Sequence, residues 1–222
     1  MIIIGLTGKT QAEILEKIEE CQKLGIKEAS LFLEFIAKQD RGEIYTSLLS
    51  SKIKNIPLVH IRHDFSTDEL TLLKKKFKTK YFTLHEENFA QDDILKWRGF
   101  YKDLCLEMNF DNVVSKKVDV KKIGGFCVDL AHFKAGMEKL NKDFEYVFDK
   151  KNNKKYFDCN HLNGYNPKTN CDMHTIKDLS DFDYLKTLPK FLFGKVIALE
   201  TFNSIEEQLK FLSYLKKEGP LA

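Results

Sequence analysis

Short apolar segments alternate with amphipathic helical segments along almost the whole sequence, and this alternation constrains the fold more than any other feature. Repeated strand–helix units of this kind are typical of parallel βαβ structure. The segments with the composition of buried strands are 2–7, 29–35, 57–63, 80–86, 103–109, 125–131, 156–162 and 195–202. Eight such units predict a closed (β/α)8 TIM barrel, and an open doubly wound sheet is the alternative.

The segments between the strand candidates carry helix signals. Apolar residues recur at helical spacing in 11–24, and Gly25 follows where a C-terminal cap is expected. Ser66 or Thr67 is placed to cap the N-terminus of another helix. Residues 110–123 are too irregular for a full helix, so we expect a loop between the fifth and sixth strands.

Length and composition limit the function classes. A chain of 222 residues suits one barrel domain, which we assign to 1–222. The net charge of +3 is too small to imply a polyanionic partner. The apolar start is too short to span a membrane and lacks the features of a signal peptide, so we expect a cytoplasmic protein without a membrane partner. Five cysteines without paired spacing indicate free thiols in a reducing compartment.

Histidines and carboxylates concentrate at the C-terminal ends of the strand candidates. A barrel gathers these ends around one cavity, so we expect the side chains to converge. Taken singly, such residues are more often helix caps or loop salt bridges. Together they predict a divalent metal, because clustered carboxylates and imidazoles require a compensating cation. The residues are His60, His63, His85, His132, His161, His174, Glu34, Glu107, Asp129, Asp172 and Glu200.

Strand periodicity predicts a layer of small side chains beneath the polar ones. Positions i and i+2 of a strand face the same side, so a residue two before each polar residue lies one layer deeper. Three of the cysteines are therefore expected to pack inside the barrel. The residues of this layer are Thr83, Cys105, Cys127, Cys159 and Ala198.

The segment 159–174, CNHLNGYNPKTNCDMH, raises the question of a small structural zinc site. It lacks the paired thiolates of such sites, so we interpret it as one wall of a larger site to which it contributes His161, Asp172 and His174. Nitrogen and oxygen ligands favour Zn²⁺, Mn²⁺, Fe²⁺ or Co²⁺ over Ca²⁺. The expected cofactor is Zn²⁺ or Mn²⁺, as one to about three ions.

These motifs resemble the xylose isomerase-like barrel superfamily, which contains endonuclease IV and the sugar and sugar-phosphate isomerases and epimerases. The resemblance rests on LCLEMN, GFCVDLAHFKAG, CNHLNG, CDMH and VIALETF, in this order. It covers roughly residues 57–215 by motif, and the whole chain by strand order. It implies a metal-dependent enzyme.

The isomerase and epimerase branch implies a single metal held by residues matching Glu107, Asp129, His161 and Glu200. In that branch the two glutamates also move a proton at the carbon next to a metal-polarised carbonyl, and the residue matching His132 holds the substrate. The implied partner is a small sugar or sugar phosphate. This is the function that we expect first.

The endonuclease IV branch implies a multinuclear cluster that hydrolyses a phosphodiester. The matching ligands are His85, Glu107, Asp129, His132, His161, Asp172, His174 and Glu200, with His60 or His63 as a further histidine. Tight spacing between the strands leaves little material for loops that enter DNA, which disfavours nucleic acid as the partner. Only the basic stretch 115–122 is placed to meet a phosphate backbone, and a solvated loop is the alternative interpretation.

Further substrate contacts are expected near the third strand. Arg62 lies two residues after His60 and could hold a substrate phosphate or carboxylate, with a structural salt bridge as the alternative. His60 and His63 are also candidate substrate-binding residues. A barrel that keeps its metal but serves as a binding or regulatory protein is a third possibility. The oligomeric state is not specified by these patterns.

Overall fold

The computed structural model describes residues 1–89, 92–114 and 120–217. Parallel strands form one sheet that curls into a barrel, and a separate antiparallel hairpin lies beside it. The strands are β1 (Ile2–Ile3), β2 (Gly5–Leu6), β3 (Ser30–Phe32), β4 (Leu58–His60), β5 (Tyr81–His85), β6 (Leu104–Glu107), β7 (Gly125–Asp129), β8 (Phe157–Leu162), β9 (Gly164–Asn166), β10 (Cys171–Met173) and β11 (Val196–Leu199).

Helices follow most of the strands, as the alternating pattern predicts. The α-helices are α1 (Gln11–Leu24), α2 (Arg41–Ser50), α3 (Thr67–Phe77), α4 (Glu86–Phe89), α5 (Leu130–Lys139), α6 (Lys142–Phe148) and α7 (Ile205–Lys217). The 3₁₀ segments span Lys38–Asp40, Asp92–Asp103, Val120–Lys122, Lys154–Tyr156, Leu179–Thr187 and Lys190–Leu192, and the second of them is kinked at Trp97. Within the described part of 110–123 the regular structure is the 3₁₀ turn, in agreement with the predicted loop.

The first strand closes the barrel. Its two halves, β1 and β2, flank Ile4; β1 pairs with β11, and β2 pairs with β3. The order β1-β11-β8-β7-β6-β5-β4-β3-β2 therefore joins the first and last strands, which confirms the (β/α)8 barrel. A β-carbon on Gly5 would lie 1.8 Å from the Leu199 carbonyl oxygen, so only glycine permits this close approach of the two strands.

The helix ends form as the sequence predicts. Gly25 adopts φ 71° and its N–H donates to the carbonyls of Cys21 and Gln22 at the end of α1. Ser66 caps α3 and exchanges hydrogen bonds with Glu69 in a capping box. These local contacts direct each chain segment back along the barrel.

A separate apolar layer fills the inside of the barrel, beneath its C-terminal end. Cys105, Cys127 and Cys159 are buried there, which confirms their predicted inward packing. The remaining members of this layer are Ile3, Phe32, Leu58, Val196 and Ala198. A larger apolar core lies between the strands and the surrounding helices. The polar residues at the C-terminal ends of the strands lie directly above this inner layer.

The segment 159–174 departs in one respect from the sequence prediction. After β8 the chain forms the β9–β10 hairpin, in which Asp172 pairs with Tyr165 and Met173 with Gly164. No strand was expected in 163–174, because this stretch is polar and rich in turn-forming residues. The hairpin positions Asp172 and, directly after β10, His174.

Candidate functional site

The strand register brings the polar strand ends together. His85 of β5 lies beside Glu107 of β6, and Asp129 of β7 lies beside His161 of β8. Ala198 of β11 pairs with His161 on its other side. Because neighbouring strands end at similar heights, residues that are far apart in sequence face the same space at the barrel mouth.

Six side chains form what we call the central cluster: Glu34, His60, His85, Glu107, His161 and Glu200. His161 lies at its centre. Its Nδ1 is 3.1 Å from Glu107 Oε2 and 3.3 Å from Glu200 Oε2, while its Nε2 is 3.1 Å from the Thr83 hydroxyl. His161, Glu107 and Glu200 are all buried.

His60 and His85 link Glu34 to the rest of the central cluster. The Nδ1 of His60 is 3.4 Å from Glu34 Oε2, and its Nε2 is 3.6 Å from Glu107 Oε2. His85 Nε2 lies 3.2 Å from the same oxygen of Glu34. His60 is fully buried, so a substrate could reach it only by entering the cluster.

Four further side chains form a second group, the hairpin cluster: Asp129, His132, Asp172 and His174. Asp172 contacts both imidazoles, with Oδ2 at 2.9 Å from His174 Nε2 and Oδ1 at 3.6 Å from His132 Nε2. Asp129 caps α5 by accepting the His132 backbone N–H at 2.8 Å. The amide of Asn163 donates to the other oxygen of Asp129 at 2.8 Å.

The imidazoles do not share one protonation state. Burial lowers the pKa of His60 to about 4 despite the nearby Glu34 and Glu107. Burial also opposes the charged form of His85, but the carboxylates of Glu107 and Glu34 outweigh it and raise its pKa to about 9. His161 is likewise buried, yet Glu107 and Glu200 raise its pKa well above its ordinary value.

In the hairpin cluster both imidazoles are basic. Burial favours the neutral form of His132, but Asp129 and Asp172 raise its pKa to about 10. Burial also favours the neutral form of His174, but its contact with Asp172 and the charge of Glu200 raise its pKa to about 9. Near neutral pH, His132 and His174 are therefore imidazolium ions.

The two buried glutamates that contact His161 differ in acidity. Burial favours the neutral form of Glu107, but His161, His85 and His60 hold its pKa well below the ordinary value. Burial dominates at Glu200 and raises its pKa to about 7, although His161 opposes the shift. One carboxyl group is thus charged at neutral pH, and the other is poised between its two forms.

Several combinations of these side chains have the spacing of metal ligands. Their nitrogen and oxygen atoms lie within 4.8 Å of one another in each group. The groups are Glu34, His60 and His85; His60, His161 and Glu200; and Glu107, Asp129, His161 and Glu200. The predicted ligands His85, Glu107, Asp129, His161 and Glu200 thus belong to such groups, whereas His132, Asp172 and His174 join none that the described residues form.

A cavity of about 550 Å³ opens beside the central cluster. Glu34 and His85 line it, as do the candidate substrate-binding residues Arg62 and His63. The Nε of Arg62 is 3.4 Å from an Asp64 oxygen, so part of the guanidinium already faces a carboxylate. The Nδ1 of His63 donates a hydrogen bond to the side-chain oxygen of Asn88 at 3.1 Å.

Sequence reasoning left some site residues without a role. Glu34 was noted only as one of the carboxylates at strand ends, yet it contacts two histidines of the central cluster. Asn163, which was not singled out, follows His161 by two residues, and the strand period places it on the same side. Thr83 was assigned only a packing position, although its hydroxyl contacts His161 Nε2.

We compared the chain with known proteins. No family model matches it, and no curated protein matches it. A similar solved structure is that of aldo-keto reductase AKR11C1 from Bacillus halodurans in its holo form, with 11% sequence identity and a TM-score of 0.49. The alignment covers 97% of this chain and 86% of the reductase. At this level of similarity, no activity is transferred from the reductase to the present chain.

These findings contradict the predicted family. The aldo-keto reductases are barrels of a superfamily other than the xylose isomerase-like one, to which no family model or curated protein links the chain. The prediction of that superfamily is therefore wrong, as are the metal-dependent isomerase or epimerase and the endonuclease IV-like phosphodiesterase that it implied. Polar residues at strand ends are common to unrelated barrels, so their order does not identify a family.

The expected divalent metal cofactor, Zn²⁺ or Mn²⁺, is contradicted by the same comparison. The sequence argument assumed that only an ion could balance the clustered carboxylates. In the structure, His85, His132, His161 and His174 have raised pKa values and supply positive charge themselves. The argument from charge alone therefore does not require a metal.

The predictions on location and nucleic acid have different outcomes. None of the helices in the described parts of the chain is long and apolar enough to cross a membrane. The cytoplasmic location stays a prediction. In the basic stretch 115–122, residues 115–119 lie outside the described ranges.

Proposed function

We propose that this chain is an enzyme that acts on a small polar substrate by general acid–base catalysis at the C-terminal face of its barrel. Glu107 and Glu200 are the proposed acid–base pair. The observation that carries this proposal is the position of His161 Nδ1, 3.1 Å from Glu107 and 3.3 Å from Glu200. Two carboxyl groups whose environments shift their pKa values in opposite directions are a recurring arrangement in acid–base catalysis.

The pKa values assign a role to each member of this arrangement. With a pKa of about 7, Glu200 exists in both forms near neutral pH and can donate or accept a proton at little cost. Glu107 remains a carboxylate because His161 and its neighbours hold its pKa low. These groups interact strongly, so the pH dependence of the reaction belongs to the cluster as a whole.

Polar atoms without a hydrogen bond in the central cluster support a substrate-binding role. Both ring nitrogens of His60, the Nδ1 of His161 and the Oε2 of Glu107 are buried and lie at ion-pair distance from charged neighbours, but they make no hydrogen bond with the described residues. A buried polar atom without a partner costs roughly 1–3 kcal/mol. Hydroxyl groups of a bound substrate would provide the missing partners.

The substrate class that best fits is a small sugar or sugar phosphate. The cavity of about 550 Å³ beside the cluster has the size of a small-molecule site. Its lining includes the carboxylate of Glu34, which can accept hydrogen bonds from hydroxyl groups, and Arg62, which can bind a phosphate or carboxylate. His132, in the hairpin cluster, is proposed as a further substrate contact.

The proposal is tested by turnover of candidate substrates. The purified protein is incubated with a panel of sugars and sugar phosphates, and their conversion is followed by NMR. We expect conversion of at least one compound, slowed by roughly 10²–10⁴-fold in Glu200→Gln. Glu206→Gln is the matched control, because Glu206 is exposed on α7. Conversion at the wild-type rate in Glu200→Gln, or conversion of no compound, would refute the proposal.

A further inference from the structure

A second group of carboxylates lies outside the central cluster. Glu86, Asp111 and Asp143 each offer an oxygen, and these oxygens lie within 4.8 Å of one another. Glu86 begins α4 directly after β5, Asp111 follows β6, and Asp143 lies in the first turn of α6. Glu86 and Asp143 are buried, whereas Asp111 is exposed, so the group opens to solvent on one side.

Two buried oxygens of this group have no hydrogen-bond partner within the described ranges. They are the Oδ1 of Asp143, which is fully buried, and the Oε2 of Glu86, which is 4% exposed. Among the residues that the structure describes, no Lys, Arg or His side chain forms an ion pair with Glu86 or Asp143. Buried carboxylates without a positive charge nearby, and with an oxygen that accepts no hydrogen bond, are costly. Their free lone pairs are available to a cation.

Hydrogen bonds to the backbone hold this arrangement in place. The remaining oxygen of Asp143, Oδ2, accepts the backbone N–H of Asn112 at 2.8 Å. The side chain of Asn141 donates to the carbonyl of Phe110 at 2.8 Å. The loop that carries Asp111 is therefore tied to the start of α6 on both sides of that residue, and its carboxylate is fixed near the other two.

We propose that Glu86, Asp111 and Asp143 bind one Ca²⁺ ion in a structural site, separate from the proposed reaction centre. The ligands are all oxygen atoms, which a hard cation prefers and Zn²⁺ does not require. Ca²⁺ tolerates irregular coordination completed by water, and Mg²⁺ demands a nearly regular octahedron that three side chains from separate elements are less suited to supply. The ion joins the chain segments that follow β5, β6 and α5.

The experiment is a calcium titration of the full chain after treatment with EDTA. Calorimetry is expected to show one Ca²⁺ per chain, and the melting temperature is expected to rise with Ca²⁺ concentration because the ion binds only the folded state. Asp111→Asn removes an exposed ligand and should weaken Ca²⁺ binding by about tenfold or more. Glu145→Gln is the matched control, since Glu145 is exposed on the same helix as Asp143, and it should bind Ca²⁺ like the wild type.

A second variant distinguishes a Ca²⁺ site from the alternative that the buried Glu86 is simply protonated and binds no ion. Glu86→Gln should be at least as stable as the wild type in EDTA, because it removes one buried charge, but Ca²⁺ should no longer stabilise it to the same degree. The proposal is overturned by the absence of binding at millimolar Ca²⁺, by unchanged affinity in Asp111→Asn, or by full stabilisation of Glu86→Gln. Tighter binding of Mg²⁺ or Zn²⁺ than of Ca²⁺ also overturns it.

Discussion

Replacement of Asp172 by asparagine tests the charge balance of the hairpin cluster. The carboxylate lies 2.9 Å from His174 Nε2 and 3.6 Å from His132 Nε2, so the change removes the negative partner of two imidazoles. A hydrogen bond to a charged group contributes roughly 1.5–3 kcal/mol, and partial exposure of both side chains favours the lower value. Because one pKa unit corresponds to about 1.4 kcal/mol, the pKa of His174 should fall from about 9 to roughly 8.

The effect on stability has a definite sign. The folded-state pKa of His174 is raised above the unfolded value of about 6.5, so its pairing with Asp172 stabilises the protein fully below that value. This contribution is lost as the pH rises through about 9. Asp172→Asn should therefore lower the free energy of unfolding by about 1.5 kcal/mol at pH 6, and by less near pH 10.

The assay combines NMR titration of the histidine ring signals with urea unfolding at the two pH values. Asp183→Asn removes an exposed carboxylate that pairs with Lys186, and it serves as the control for the change in net charge. An unchanged pKa of His174 in Asp172→Asn would refute the reasoning. So would an equal loss of stability at pH 6 and pH 10.

Three further predictions concern packing and strain. Of the five cysteines, all of them in the described ranges, only Cys171 is exposed. One thiol of the folded protein should therefore react rapidly with a disulfide reagent, and all five should react in urea. Rapid reaction of more than one thiol in the folded protein would contradict the buried cysteine layer. Arg41 is fully buried between Asp64 and Glu69, so Arg41→Met should lower the free energy of unfolding in urea by about 3–5 kcal/mol. Arg98 is exposed, and Arg98→Met is the control. An equally small loss of stability in the two variants would contradict the role of the ion pairs. At Gly125, φ is 134° and a β-carbon would lie 2.7 Å from the Tyr156 carbonyl oxygen; Gly125→Ala should lower stability by about 2–5 kcal/mol, and a neutral effect on thermal unfolding would show that the backbone relaxes there.

The sequence predicted the strands of the barrel closely. The expected segment 80–86 corresponds to β5 at Tyr81–His85, and 125–131 corresponds to β7 at Gly125–Asp129. Apolar strand runs and their period of two are local properties, so they are readable without the rest of the molecule. The same period placed Cys159 beneath His161, and the structure confirms that Cys159 is packed inside the barrel.

The site was only partly accessible from the sequence. The positions of His85, Glu107 and His161 at the ends of predicted strands indicated that they would converge, because a barrel gathers the C-terminal ends of its strands around one cavity. The position of Asp172 depends on the β9–β10 hairpin, which pairs residues across a polar turn that has no strand-like pattern. The family and the metal cofactor were wrong because they were inferred from residue types in order, and unrelated barrels share such residues.

By itself, the sequence determined a (β/α)8 barrel with imidazoles and carboxylates at one end, since strand periodicity and topology place them there. Only the tertiary structure decided which groups carry charge. His60 and His161 are both buried histidines at strand ends, yet the pKa of His60 is lowered and that of His161 is raised. Burial opposes the charged form of both, but His161 lies 3.1 and 3.3 Å from Glu107 and Glu200, whereas His60 lies 3.4 and 3.6 Å from Glu34 and Glu107 and is repelled by His85 and His161. Such distances are set by the packing of several strands together, and no single segment contains them.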